Sequence, residues 1–167
     1  MVLVYELFGP VGRRFARVFL LLTLMGATIQ ALDVLADFGA LSLLKGGSAA
    51  AAVPTELAQA LAYMCLRMHS FAYTVALVFM GFGSLCLAPL VARARFLPRF
   101  IGWIYPLDGL GFVTFGFATL LAPPLAARLR PLVPFGTAFV AEGAFYLWLV
   151  IRGVNAQRWH EQNGPVD

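Results

Sequence analysis

Residues 18–44 read VFLLLTLMGATIQALDVLADFGALSLL, and this stretch decides the fold. A helix needs about 20 mostly apolar residues to cross the roughly 30 Å hydrocarbon core of a bilayer, and Val18–Leu41 meets that requirement. The whole chain has the same character, with 61% hydrophobic and 12% charged residues. Soluble domains carry about 25% charged residues, so this chain has too few charges to cover a water-facing surface. The sequence therefore predicts an integral membrane protein.

Three further segments are long and apolar enough to span a bilayer: Ser70–Val91, Phe100–Leu121 and Leu132–Ile151. The connections between the four segments are short and contain glycine or proline, which favours antiparallel neighbouring helices. The alternation of apolar and polar residues that marks a transmembrane barrel is absent from the sequence. We therefore expect an all-α, four-helix antiparallel bundle, divided as follows: a cytoplasmic or interfacial segment at 1–17, the bundle at 18–155 and a cytoplasmic tail at 156–167.

The basic residues predict an orientation. Eight arginines fall at one end of these spans: Arg13, Arg14, Arg17, Arg93, Arg95, Arg99, Arg152 and Arg158. Lys45, Arg128 and Arg130 fall at the other end, and Arg67 lies just before the second span. The positive-inside rule makes the eight-arginine end cytoplasmic, and with it both ends of this chain. Topology thus accounts for the net charge of +4, so the expected partner is the lipid bilayer and not nucleic acid.

The sequence does not settle the structure of two stretches, residues 1–8 and the region that begins at Thr55. Residues 1–8, MVLVYELF, are too short to cross a bilayer and suit either an interfacial helix or the end of an upstream span. Thr55 offers a helix start, and no proline interrupts the chain from there to Ala88, so one long helix from about Thr55 to Ala92 is plausible.

Two acids lie inside the predicted spans at nearly equal depth. Asp108 and Glu142 are about 13 Å and about 15 Å from the arginine-rich edge at 1.5 Å per residue, and we expect Gln30 and Ser84 in the same layer. No cation is predicted there, so we do not expect both acids to be ionised. The pair either carries a proton or cation, or is neutral and hydrogen-bonds to Gln30, Ser84 or carbonyl groups near Pro106.

A second polar cluster is predicted at the opposite end of the spans. Asp33 and Asp37 share a helix face because they are four residues apart. Arg67 enters from the same side, so an ion pair of Arg67 with either aspartate is the economical arrangement, with a mainly architectural role. A ligand-binding role for the cluster is the alternative.

His69 is the one histidine near a span, because His160 falls in the tail. A lone histidine can ligate the metal of a haem or chlorophyll, but it can equally bond a carbonyl group or lie among lipid headgroups. The 15 phenylalanines could line a pigment or quinone site, although lipid-facing and core phenylalanine need no ligand. The sequence therefore implies no particular cofactor and no metal site.

Three motifs resemble the bacterial membrane family known as domain of unknown function 4386, most strongly over His69–Asn155. They are H-x₃-Y-x₃-L-V-F-x-G beginning at His69, F-L-P-R-x-x-G-W beginning at Phe96, and L-W-L-x-I-x-G-V-N beginning at Leu147. The chain departs from the family at Ala88-Pro89-Leu90 and at Arg93-Ala94-Arg95. The resemblance implies a polytopic helical protein of the bacterial inner membrane, with additional helices upstream in family members. It implies no activity, cofactor or catalytic residue.

The functional expectation follows from what the chain lacks. The sequence has no zinc-protease, nucleophile-elbow, redox-cysteine or phosphate-loop motif, so we expect no enzyme and name no catalytic residue. The leading hypothesis is an accessory or interaction subunit that contacts other membrane proteins. The alternative is a small-ligand or proton- or cation-linked transporter or receptor that uses Asp108 and Glu142. A membrane-embedded enzyme built on His69, Arg67 and the acids ranks third.

Overall fold

The computed structural model describes residues 1–45, 53–130, 132–133, 136 and 139–164. These residues form helices without strands: α1 (Val2–Leu44), α2 (Thr55–Arg93), α3 (Arg99–Leu121), α4 (Pro123–Leu129), α5 (Phe139–Ile151) and α6 (Ala156–Asn163). Helices α1, α2 and α3 are long and apolar enough to cross a membrane. The predicted all-α membrane bundle is confirmed.

Helix α1 is much longer than the predicted first span. It begins at Val2 and takes in the whole segment 1–17. Its backbone departs from helical geometry at Gly12 (φ −174°, ψ 84°), two residues after Pro10. Proline lacks the N–H of a helical hydrogen bond and its ring crowds the preceding turn, so a bend at this point is expected. The first turns thereby pack into the core, where Phe8 is fully buried.

A seven-residue repeat forms the contact between α1 and α2, and we call it the α1–α2 seam. Its members are Gly12, Phe19, Gly26, Asp33 and Ala40 on α1, and Ala62, His69, Ala76, Gly83 and Leu90 on α2. The pairing is antiparallel, because Gly12 faces Leu90 and Gly26 faces Ala76. Seven-residue spacing keeps one stripe of each helix on its partner, and small residues let membrane helices approach closely. A Cβ on Gly26 would lie 3.0 Å from the Ala76 carbonyl oxygen, so this approach requires glycine.

Helix α2 is the centre of the assembly, with α1 on one side and α3 on the other. The contact with α3 is equally close, since a Cβ on Gly109 would lie 2.8 Å from the Gly81 carbonyl oxygen. Helices α4 and α5 then pack against α3. The most apolar window of α1 is only 22% buried, against 50% for α2. The long helices therefore form a row, with α1 at its edge.

Among the described residues, aromatic contacts close the row at the arginine-rich end, meaning the end that carries Arg93, Arg95, Arg99, Arg152 and Arg158. There Phe8 of α1 approaches Phe145 of α5 with ring centroids 6.2 Å apart, and Tyr105 of α3 lies 5.2 Å from Phe145. Helix α5 itself has 13 residues, or about 20 Å at 1.5 Å per residue. It covers the second part of the predicted span 132–151, of which residues 134, 135, 137 and 138 lie outside the described chain.

Helix α6 crosses the arginine-rich end and ties three parts of the chain together. Its Trp159 Nε1 donates to the Leu7 carbonyl oxygen at 3.1 Å. Gln162 joins it to the α2–α3 connection, because Oε1 accepts from the Arg95 N–H at 2.8 Å and Nε2 donates to the Arg93 carbonyl oxygen at 3.0 Å. The Asn155 side chain caps the helix by accepting from the Arg158 N–H at 3.0 Å. The predicted tail is thus helical as far as Asn163 and is attached to the bundle.

Candidate functional site

Asp108 is the most deeply buried ionisable side chain of the described residues. It has no exposed surface, and neither carboxyl oxygen has a hydrogen-bond partner among those residues. The packing of α2 on α3 sets its position, since the next residue, Gly109, contacts Leu85 of α2. Ser84 of α2 lies next to Asp108, and Tyr105 of α3 and Glu142 and Tyr146 of α5 are close enough to interact with it electrostatically.

The structure therefore brings together three of the four residues predicted for the intramembrane layer. Ser84 lies on α2, Asp108 on α3 and Glu142 on α5, and these helices are neighbours in the row. Tyr105 and Tyr146 belong to the same group, although neither was predicted to be a site residue. Tyr105 lies three residues before Asp108 and Tyr146 lies four after Glu142, so helical spacing places each tyrosine beside its acid.

Gln30 does not belong to this layer. Gly83, next to Ser84, faces Thr23 of α1, and Gln30 is seven residues beyond Thr23, or about 10 Å along the helix. The expected depth of Gln30 requires the arginines of α1 to be level with Arg93. Gly12 in fact faces Leu90, so the α1 arginines lie deeper than Arg93. Thr23 occupies the level assigned to Gln30, and its hydroxyl donates to the Phe19 carbonyl oxygen at 2.6 Å.

The two acids of the layer differ in exposure. Asp108 is enclosed, whereas Glu142 is half-buried and Tyr146 is 39% exposed. Glu142 and Tyr146 are four residues apart and share a face of α5. Helix α5 packs along α3, and both side chains keep part of their surface exposed among the described residues. We call the surface formed by Glu142 and Tyr146 the α5 polar face.

At the other end of the membrane-crossing region, the basic side chain beside Asp33 and Asp37 is His69. Its Nδ1 lies 3.1 Å from Asp33 Oδ2 and 3.3 Å from Asp37 Oδ2. The Asp33 side chain is 3% exposed and the His69 side chain 36%. Asp33 and His69 are the ionisable members of the α1–α2 seam, so this contact lies within the helix interface.

The expectation that Arg67 pairs with these aspartates was wrong. The Arg67 guanidinium carbon lies 5.4 Å from the centre of the Phe71 ring instead. Residues two apart on a helix point about 200° away from each other, so only one of Arg67 and His69 can face α1. The seven-residue spacing of His69, Ala76 and Gly83 is the sequence signal that identifies the histidine as the inward residue.

His69, Phe112 and Phe115 each contact other described side chains. Among the described residues, no group of three or more His, Cys, Asp or Glu side chains is arranged to hold a metal ion. Phe112 and Phe115, which were considered as ligand walls, pack with Leu77 and Ala118 in a small core cluster. His69 stacks on Tyr73 with ring centroids 6.3 Å apart, in addition to its contacts with the aspartates. These contacts are those of side chains that pack the protein itself.

Comparison with known proteins places the chain in a family. The sequence profile described as "Domain of unknown function (DUF4386)" matches residues 1–153. Searches of curated proteins and of solved structures gave no match. The matched range includes α1 through α5 and extends the motif-based resemblance over His69–Asn155 to nearly the whole chain. With its three membrane-length apolar helices, this chain is a membrane protein of the DUF4386 family.

Proposed function

We propose that this chain is a non-catalytic subunit that binds other membrane helices through the α5 polar face. The supporting observation is the partial exposure of Glu142 and Tyr146 among the described residues, on a helix where counting from Arg152 puts Glu142 about 15 Å inside the bilayer. An ionisable side chain inside a bilayer costs at least about 2.5 kcal/mol unless it is covered and paired. A partner helix lying along α5 would cover both side chains and offer them hydrogen-bond partners.

The orientation belongs to the same proposal. The arginine-rich end faces the cytoplasm of a bacterial inner membrane, because eight of the basic residues considered above gather there against three at the other end. Both ends of this chain are then cytoplasmic. Fusion of alkaline phosphatase and green fluorescent protein after α6 tests this orientation. Fluorescence without phosphatase activity is expected, and the reverse pattern would contradict it.

The subunit proposal is tested by purification from native membranes in a mild detergent. The wild-type chain should retain a membrane protein in a fixed ratio, and the double variant Glu142→Leu and Tyr146→Leu should lose it. The matched control is Leu110→Ala on α3, where the exposed side chain of Leu110 lies at a similar depth away from α5. A wild-type chain that elutes alone, or retention unaffected by the double variant, would contradict the proposal.

A second candidate function is supported by the enclosed carboxyl group of Asp108. Both of its oxygens lack a hydrogen-bond partner within the described chain, so a bound proton or small cation would satisfy them. A ligand that binds only the native state raises the melting temperature. We expect sodium, potassium or lithium chloride to raise the Tm relative to choline chloride, and Asp108→Asn to remove the difference. Equal melting temperatures of the wild type in all four salts would exclude a cation site.

A further inference from the structure

Two adjacent cavities at the arginine-rich end are lined by arginines that form no ion pair with a described carboxylate. The larger, of about 610 Å³, has Arg93, Arg95, Arg99 and Arg158 in its wall. The smaller, of about 370 Å³, shares Arg95 and Arg158 and adds Arg152. Both volumes fall within or near the range of small-molecule sites, about 300–1,000 Å³. We call the two cavities together the arginine pocket.

The charge of the arginine pocket is not neutralised by the described part of the chain. Of the described residues, the basic side chain that lies within ion-pair distance of a carboxylate is His69, which is at the far end of the protein from the pocket. Glu161 is the one acid in the wall of the pocket, and its Oε1 accepts a hydrogen bond from Gln157 Nε2 at 3.0 Å. Each guanidinium offers five N–H donors in a planar fork that matches a phosphate group. The pocket therefore favours an anion with several oxygens.

The fold holds these arginines together. Arg93, Arg95 and Arg99 lie at the junction of α2 and α3, whose connecting residues Phe96 and Leu97 are buried. Arg158 is brought to the same place by α6, which the two hydrogen bonds of Gln162 attach to that junction. Guanidinium groups from three parts of the chain thus line a single concave surface.

The surroundings of the pocket are those of a membrane interface. Trp148 lines the smaller cavity and contacts the Phe100 ring edge-on, with centroids 6.0 Å apart. Trp103, one turn further along α3, is 80% exposed. Exposed tryptophan beside a basic cluster is typical of the headgroup level of a bilayer, and basic pockets at this level bind anionic headgroups.

We propose that the arginine pocket binds the phosphate group of an anionic phospholipid, with the acyl chains lying against Phe100 and Trp103. The shared chemistry is a phosphate ester held by guanidinium forks, and the aromatic surface beside the pocket favours a lipid over a soluble ester. The proposal does not depend on the α5 polar face, which belongs to the middle of the membrane.

The test measures binding of the full chain in detergent to phosphatidylglycerol and to phosphatidylcholine, by native mass spectrometry. Phosphatidylglycerol should bind more tightly. Because each arginine near an anionic surface contributes about 1 kcal/mol, Arg95→Gln with Arg158→Gln should weaken phosphatidylglycerol binding about 30-fold. The control Arg128→Gln with Arg130→Gln removes the same charge from the opposite end and should leave the affinity unchanged. Circular dichroism and gel filtration of each variant establish that it is folded.

Equal affinity for the two lipids, or wild-type affinity in the folded Arg95/Arg158 variant, would overturn the proposal. Competition by glycerol 3-phosphate at the concentration of the lipid would assign the pocket to a soluble ester and overturn the lipid assignment. If the double variant does not fold, the salt dependence of phosphatidylglycerol binding by the wild-type chain tests the proposal. Phosphatidylglycerol binding must weaken steeply between 0.05 M and 0.5 M sodium chloride if exposed arginines carry it, and a flat response would contradict the proposal.

Discussion

Asp33 and His69 are ionisable residues in an otherwise small and apolar seam. Asp33 is 3% exposed at its side chain and reaches His69 at 3.1 Å. A buried polar pair contributes little net stability, but it disfavours other registers, because a shifted pairing leaves a buried carboxyl group without a partner. We therefore interpret this contact as the device that fixes the register of α1 on α2.

Removal of the histidine should be costly. In His69→Ala the buried Asp33 loses its partner, so we expect a loss of about 1–3 kcal/mol, measured as a lower Tm in detergent. Arg67→Ala, two residues away and outside the seam, should change stability much less. Replacement of both Asp33 and His69 by leucine should restore much of the loss, because no polar group is then buried unpaired. A His69→Ala variant as stable as Arg67→Ala would contradict this interpretation.

At the residue scale, sequence reasoning reached part of the candidate site. A rise of 1.5 Å per residue from the nearest arginine predicts the same depth for Asp108 and Glu142. This works because α3 begins at Arg99 and α5 ends next to Arg152. The same count misplaced Gln30, since α1 continues past its arginines to Val2. The choice of Arg67 over His69 failed because charge alone does not say which face of α2 meets α1. The roles of these residues remain predictions.

The elements were easier to predict than their ends. Hydropathy located α1, α2 and α3 because each contains more than 20 consecutive, mostly apolar residues. It did not foresee that α1 begins at Val2, because Pro10 and Gly12 resemble a helix boundary, whereas the structure has a bend at this point within one helix. The single long helix over Thr55–Ala92 that we considered plausible is present as α2, Thr55–Arg93.

Close packing of α1 on α2 predicts a strong effect of substitutions at glycine. In Gly83→Val the new Cβ would lie 2.7 Å from Thr23 Oγ1, so Thr23 must give up its hydrogen bond to the Phe19 carbonyl oxygen or the helices must separate, at a cost of about 1–3 kcal/mol. Gly143→Ala in α5 is the matched control, because nothing lies within 4 Å of its Cβ position, and alanine stabilises a helix interior by about 0.5–1 kcal/mol. Thermal unfolding in detergent measures both. Equal melting temperatures for the two variants would contradict the packing.

The attachment of α6 predicts a local change in hydrogen exchange. The Arg95 N–H donates to Gln162 Oε1, so Gln162→Ala should increase exchange at the Arg95 amide and loosen the arginine pocket. Gln157→Ala removes a bond between two side chains of α6 itself and should leave the Arg95 amide protected. Hydrogen–deuterium exchange with peptide-level mass spectrometry covers both sites. Equal protection in the two variants would mean that Gln162 does not hold α6 in place.

At the scale of the whole molecule, the described helices form a row whose outer members approach each other at the arginine-rich end. The sequence predicted the helices but not this arrangement, because lipid-facing and helix-facing surfaces are both apolar and hydropathy cannot separate them. The arrangement leaves Glu142 and Tyr146 partly exposed among the described residues. It also concentrates five arginines at one end, where they are available to an anionic ligand.

The most direct test of the subunit proposal is site-specific photo-crosslinking in native membranes. A photoreactive phenylalanine analogue at Tyr146 should yield one predominant adduct with a membrane protein. The same analogue at Leu110, exposed on α3, should yield only lipid adducts. Lipid adducts alone at both positions would show that the α5 polar face meets the bilayer and would contradict the proposed subunit role.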